Sequence, residues 1–107
     1  MGRKTSNRIS VAFDGSGTIE IGVAAGYACY PALSEFGDAW AFSYPDMSFY
    51  TCGKRTHEFL FPETLRRDTN ILTMILDRTN GIIRISLNNV MAKEVIRDEK
   101  ICEPYLL

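Results

Sequence analysis

The side chains able to do chemistry in this chain are few, and they gather at positions 52 to 57 and in two aspartate-glycine turns. Cys52 and His57 lie close in sequence and could form a thiolate–imidazole pair, in which the ring takes the thiol proton and leaves a nucleophile. The simpler account of Cys52, beside Gly53 in a strand or turn, is a small packed residue. Gly53-Lys54-Arg55-Thr56 looks like a phosphate loop, but that loop needs Ser or Thr directly after the lysine and a glycine where Ser48 stands. Asp77 to Gly81 is not a calcium loop, because its glycine comes one position early and no bidentate Glu stands at the twelfth position. Asp14-Gly15-Ser16-Gly17 is a turn rather than a dinucleotide fingerprint. Glu58, Glu63 and Asp68 are scattered, with no pair placed for acid–base work. His57 is the only histidine, which excludes any site built on two imidazoles. Cys29, Cys52 and Cys102 cannot all pair with one another and form no C-x-x-C knuckle for zinc. The expectation is a reduced, intracellular, cytoplasmic chain with no catalytic residues, no metal and no cofactor.

Size and charge narrow the classes further. A chain of 107 residues buries only roughly 65% of the surface its unfolded form exposes, enough for one core. With 46% hydrophobic residues and a net charge of -1 it is not a disordered segment. Twelve Lys and Arg against 13 Asp and Glu leave no basic excess for a nucleic acid. No apolar run is long enough for a transmembrane segment, and MGRKTSNRIS lacks the apolar stretch of a secretory signal. Residues 1 to 8, with Arg3, Lys4 and Arg8, read as a flexible basic arm, and 9 to 107 as one domain. Met1-Gly2-x-x-x-Ser6 also fits the N-myristoylation pattern, which would make the arm a lipid anchor.

The elements follow a period of two from Ile9 onward. Ile19, Ile21 and Val23 share one strand face, and Trp40, Phe42 and Tyr44 share another that Pro45 ends. Met47 with Phe49, and Phe59 with Phe61, predict two short strands separated by a loop over Cys52 to Thr56. Asn70 to Asp77 is apolar on both faces, as in a strand at the centre of a sandwich. Its partner turns Ile83, Ile85 and Leu87 inward, and Asn80-Gly81 between them predicts a tight hairpin. Val90 to Lys100 is the only stretch with a helical pattern. The sum is all-β: an antiparallel β-sandwich with strands every 8 to 12 residues.

The stretch Ile19 to Ala24, then Gly37-Asp38-Ala39-Trp40-Ala41-Phe42-Ser43-Tyr44, then Cys52-Gly53-Lys54, then Leu72 to Asn88 with Leu76-Asp77-x-x-x-Gly81 at its turn, resembles a SPRY (B30.2-type) domain. The resemblance implies a concanavalin-like sandwich, incomplete at its C-terminal end because the chain stops at Glu103 to Leu107 where the family has a closing strand. It also implies a non-catalytic protein-protein interaction module that recognises a peptide or protein surface through loops at one end. By position those loops are Tyr27 to Phe36, with Tyr27, Tyr30, Pro31 and Phe36 as contacts, and Cys52 to His57, with Lys54, Arg55 and His57 as a polar rim for an acidic peptide. The residues alone leave both loops open to a blander account, aromatics docked on the core and a solvated turn. Two further functions stay in view. One is a structural subunit of an assembly, its open sheet edge completed by a neighbouring chain. The other is a lectin-like sugar binder using Arg84, Ser86 and Asn88.

Overall fold

The pattern that organises the molecule is the alternation of Leu72, Met74 and Leu76 on β6 (Thr69–Asp77) and of Ile83, Ile85 and Leu87 on β7 (Ile82–Leu87), all six buried. The antiparallel register sets Leu72 opposite Leu87, Met74 opposite Ile85 and Leu76 opposite Ile83, so the two apolar faces merge into one. The computed structural model describes residues 6–24 and 39–102. Within them β1 (Ser6–Asp14) lines the other side of β6, and the short strands β8 (Val90–Met91) and β9 (Ile96–Arg97) pair with the two ends of β7. The second sheet runs β2 (Ile19–Ala24), β3 (Ala39–Tyr44), β4 (Ser48–Thr51) and β5 (Lys54–His57), each antiparallel to its neighbour. Ile21, Val23, Trp40, Phe42, Tyr44 and Phe49 of this sheet meet Phe13, Leu72, Met74, Ile83 and Ile85 of the first in one core. The chain is therefore an all-β sandwich. Among the described residues no helix is long and apolar enough to cross a membrane.

Three turns explain most of the differences from the pattern. Cys52 and Gly53 both have positive φ, 51° and 85°, and join the directly opposed residues Thr51 and Lys54. Two consecutive positive values suit a two-residue hairpin whose twist matches the strands. Lys54 to His57 is consequently an edge strand and not the loop expected there. Asn88 and Asn89, at 52° and 70°, make the same turn between Leu87 and Val90. Asparagine tolerates this conformation best after glycine, and the stretch expected to be helical starts instead with β8, continues to β9 and ends in a 3-10 turn over Glu99–Cys102. Asn80-Gly81, by contrast, closes a four-residue loop in which Gly81 has a φ of 64° and the Asp77 carboxylate accepts from the Thr79 and Asn80 backbone N–H groups and the Asn80 amide.

Smaller corrections follow from pairing and exposure. Ser6 to Arg8, expected in the arm, belong instead to β1, opposite Asp77 to Ile75, and residues 1 to 5 lie outside the described residues. Phe59 and Phe61 lie outside any strand. The outer face of β6 is partly open, with Ile71 50% exposed. The segment 103 to 107, where a closing strand was in question, and the acylation pattern at Gly2 lie outside the described residues.

A polar knot ties the two sheets. Asn70 is fully buried; its Oδ1 accepts from Arg67 N (2.9 Å) and Asn88 Nδ2 (3.0 Å), and its Nδ2 donates to Arg67 O (3.0 Å). Asn88 Nδ2 also donates to Leu65 O (2.7 Å), and Asn88 Oδ1 accepts from Ile71 N (2.9 Å). Next to it Gly15 N donates to Asp68 O, Tyr44 OH donates to Gly15 O (2.7 Å), and Arg66 Nε donates to Tyr44 OH (3.1 Å). A Cβ on Gly15 would collide with the Arg67 carbonyl, which is why this turn takes no larger residue. At the far side of the core Trp40 Nε1 donates to Asp98 Oδ2 (3.1 Å), anchoring the C-terminal segment.

Asn70→Ala orphans several of these buried groups, each worth about 1–3 kcal/mol. It is expected to lower the unfolding free energy in urea by roughly 2–4 kcal/mol, against a near-neutral effect for the exposed Asn7→Ala. The Asp77 carboxyl is held below its ordinary value, first by the Asn80 side chain and then by the Asn80 backbone N–H. A depressed carboxyl contributes stability above its unfolded pKa and loses it as pH falls through its folded value. The stability gap between wild type and Asp77→Asn should thus be full at neutral pH and close in acid; a gap that stays constant on acidification contradicts that origin.

Candidate functional site

Three separate segments converge on one groove: Pro45–Met47 from the β3–β4 turn, Phe59–Glu63 after β5, and Val90–Glu94 from β8 onward. Antiparallel alternation puts the β3–β4 turn and the exit of β5 at the same end of their sheet. Asn88 ties in the third segment. It sits just before Val90, and its amide bond to Leu65 O, just after Glu63, fixes how far apart the two walls stand. Leu60 N donates to Met47 O (2.8 Å), and Ala92 N donates to Ile85 O (2.9 Å), so each segment is pinned to the sandwich by its backbone.

The floor is core, and exposed apolar side chains stand above it. Met47, Phe61 and Ala92 are buried members of the hydrophobic core, with the Phe61 ring edge-on to Phe42 at 5.8 Å. Phe59 is 78% exposed, Met91 49% and Val90 44%. Leaving a phenylalanine or methionine in water forgoes about 1.5–3 kcal/mol of burial each, and three exposed apolar side chains stand around one depression. The groove holds about 590 Å³, within the roughly 300–1,000 Å³ of ordinary ligand pockets. Met47 (φ 58°) and Phe59 (φ 54°) both adopt left-handed backbone conformations. For side chains of this size that conformation stores about 1–3 kcal/mol apiece, the kind of strain that collects at functional positions.

The charges lining the groove are unbalanced: Asp46, Glu63 and Glu94 against Lys93. Glu63 lies 3.4 Å from Arg66 Nη1, and Glu94 lies 3.6 Å from His57 Nε2, an ion pair only when the imidazole is protonated. The Tyr44 hydroxyl, and after it Glu63, hold the Arg66 guanidinium protonated above its usual range.

Of the residues singled out from sequence, Tyr27, Tyr30, Pro31 and Phe36 lie outside the described residues. Lys54, Arg55 and His57 lie on edge strand β5. Lys54 and Arg55 are exposed near the Cys52-Gly53 turn, at the other end of the sheet from the groove, with Arg55 paired to Glu58 at 3.0 Å. His57 stands edge-on to Phe49 at 6.4 Å and reaches the groove rim through Glu94. Its Nδ1 shares a 3.0 Å hydrogen bond with Thr56 Oγ1, whereas Cys52 Sγ lies 4.0 Å from Asp98 Oδ2. Among the described residues no group of three or more His, Cys, Asp or Glu is placed to hold a metal. Phe59, Val90 and Met91 were not anticipated. Treating Asn88-Asn89 as a two-residue turn would have shown that one of Val90 and Met91 is outward, because adjacent apolar residues in a short strand cannot both face inward.

Searches against protein-family models, curated proteins and solved structures found no match for the chain.

The two phenylalanines of the groove should separate cleanly. Phe59→Ser is expected to change stability by no more than about 0.5 kcal/mol, as exposed sites do, whereas Phe61→Ala should cost about 3–5 kcal/mol through the cavity it leaves. Thermal and urea unfolding of both variants checks this.

Proposed function

We propose that this chain is a non-catalytic interaction module that holds a segment of another polypeptide in the groove between Pro45–Met47, Phe59–Glu63 and Val90–Glu94. The observation that carries this is Phe59, a large apolar ring left 78% exposed on a strained backbone above a core-lined depression. A polypeptide is the occupant such a surface suits: apolar side chains fill the depression, and the rim is polar enough to hydrogen-bond a main chain. The SPRY-like pattern of Gly37 to Tyr44 and Leu72 to Asn88 is in keeping with the class of function alone, since the Cys52 to His57 loop that it implies lies towards the other end of the sheet from this groove.

Panning a library of phage-displayed random dodecapeptides on the immobilised chain tests the proposal. Peptides whose affinity falls at least about tenfold, the usual loss on truncating an interface anchor, in both Phe59→Ser and Met91→Ser are the expected product. If every enriched peptide binds these variants as well as wild type, the groove is not the recognition surface.

A further inference from the structure

Resting on that reading, we infer that the segment held in the groove is cationic, an apolar anchor flanked by Lys or Arg. The side chains around the depression are the ground for this. Three carboxylates and a single ammonium line it. Asp46 has no ion partner among the described residues, and it belongs to the β3–β4 turn that supplies the floor residue Met47. Glu63 is 75% exposed and Glu94 70% exposed at the side chain, and their contacts at 3.4 and 3.6 Å are long for charge-assisted bonds. All three carboxylates are therefore wet, weakly engaged and grouped around an apolar centre, an arrangement that attracts cations to the rim and hydrophobes to the middle.

The same charges argue against other occupants. An anionic membrane would meet Asp46, Glu63 and Glu94 together with Phe59, and like charges repel at that range. A second copy would bring its own acidic rim against this one if the groove were used by both partners, as a two-fold contact requires. Lys93 does not reverse the balance, being one ammonium against three carboxylates.

Fluorescence polarisation on the best peptide recovered by panning settles the point, with three partner probes: the peptide itself, and versions with each Lys or Arg changed to Gln or to Glu. Each exposed pair is worth up to about fivefold, so Gln versions should bind about tenfold more weakly and Glu versions more weakly still. Raising salt from about 50 to about 300 mM should weaken the parent peptide and leave the Gln version unaffected. Asp46→Lys leaves two carboxylates against two ammonium groups, so it should narrow the gap between the parent, Gln and Glu peptides while the melting temperature holds, and Glu94→Lys serves should that variant prove unstable. If Gln versions bind Phe59-dependently with undiminished affinity, the inference falls and the interaction module stands. If panning yields nothing sensitive to Phe59→Ser, both fall. Phe59-dependent sedimentation with phosphatidylserine vesicles, or Phe59-dependent self-association in the ultracentrifuge, would overturn it in favour of a lipid surface or a second copy.

Discussion

The hydrogen bond between the Asn70 and Asn88 side-chain amides, 3.0 Å long and set where β6 begins and β7 ends, is the constraint on which the rest of the structure depends. Few side chains could replace either partner. Asn70 must accept twice and donate once inside the protein, while Asn88 must donate twice, accept once and sit at positive φ. Aspartate has no donor to offer, serine is one donor short at position 88, and glutamine is poorly suited to the turn conformation there. Because a half-satisfied buried network is worse than none, the two residues act as one unit. That unit fixes Leu65 to Asp68 against β6, and through Gly15 and Tyr44 it carries across to the second sheet.

The groove is a consequence of that knot rather than an addition to it. Residues 59 to 63 enter the knot from one side and 90 to 94 leave it on the other, so a single amide bond at Leu65 determines their separation. Strain at Met47 and Phe59 is tolerated because the Leu60 to Met47 backbone bond and the packing of Phe61 over-determine the local chain. A relaxed backbone at Phe59 would let the ring fold back onto apolar surface. Holding it out forgoes burial energy.

The sandwich was legible from sequence because its inward residues repeat with period two. Leu72, Met74, Leu76 and Ile83, Ile85, Leu87 fixed the central hairpin, and Trp40, Phe42 and Tyr44 the strand opposite. Turns were harder to read, since Cys52-Gly53 and Asn88-Asn89 reach the geometry of Asn-Gly with residues less typical of it, while the actual Asn80-Gly81 closes a longer loop. The groove was invisible for a different reason: its three segments are 12 or more residues apart in sequence and are joined by the Leu60–Met47 backbone bond and the Asn88 side-chain amide, neither of which any periodicity encodes. An exposed phenylalanine also has the same letter as a buried one, and Phe59 beside Phe61 followed the alternation of a strand that does not form.

Since Met47, Phe61 and Ala92 belong to the core, an occupant of the groove would rest directly on packed side chains instead of on a loop that has to order first. A preformed floor removes much of the entropy that recognition ordinarily opposes, so modest contact area suffices for useful affinity. The walls are less secure, because Val90–Met91 is a two-residue strand held at Ser86 and Leu87. Contact with both walls would therefore brace the edge of the five-stranded sheet, and by linkage whatever fills the groove stabilises the fold in proportion to its own binding.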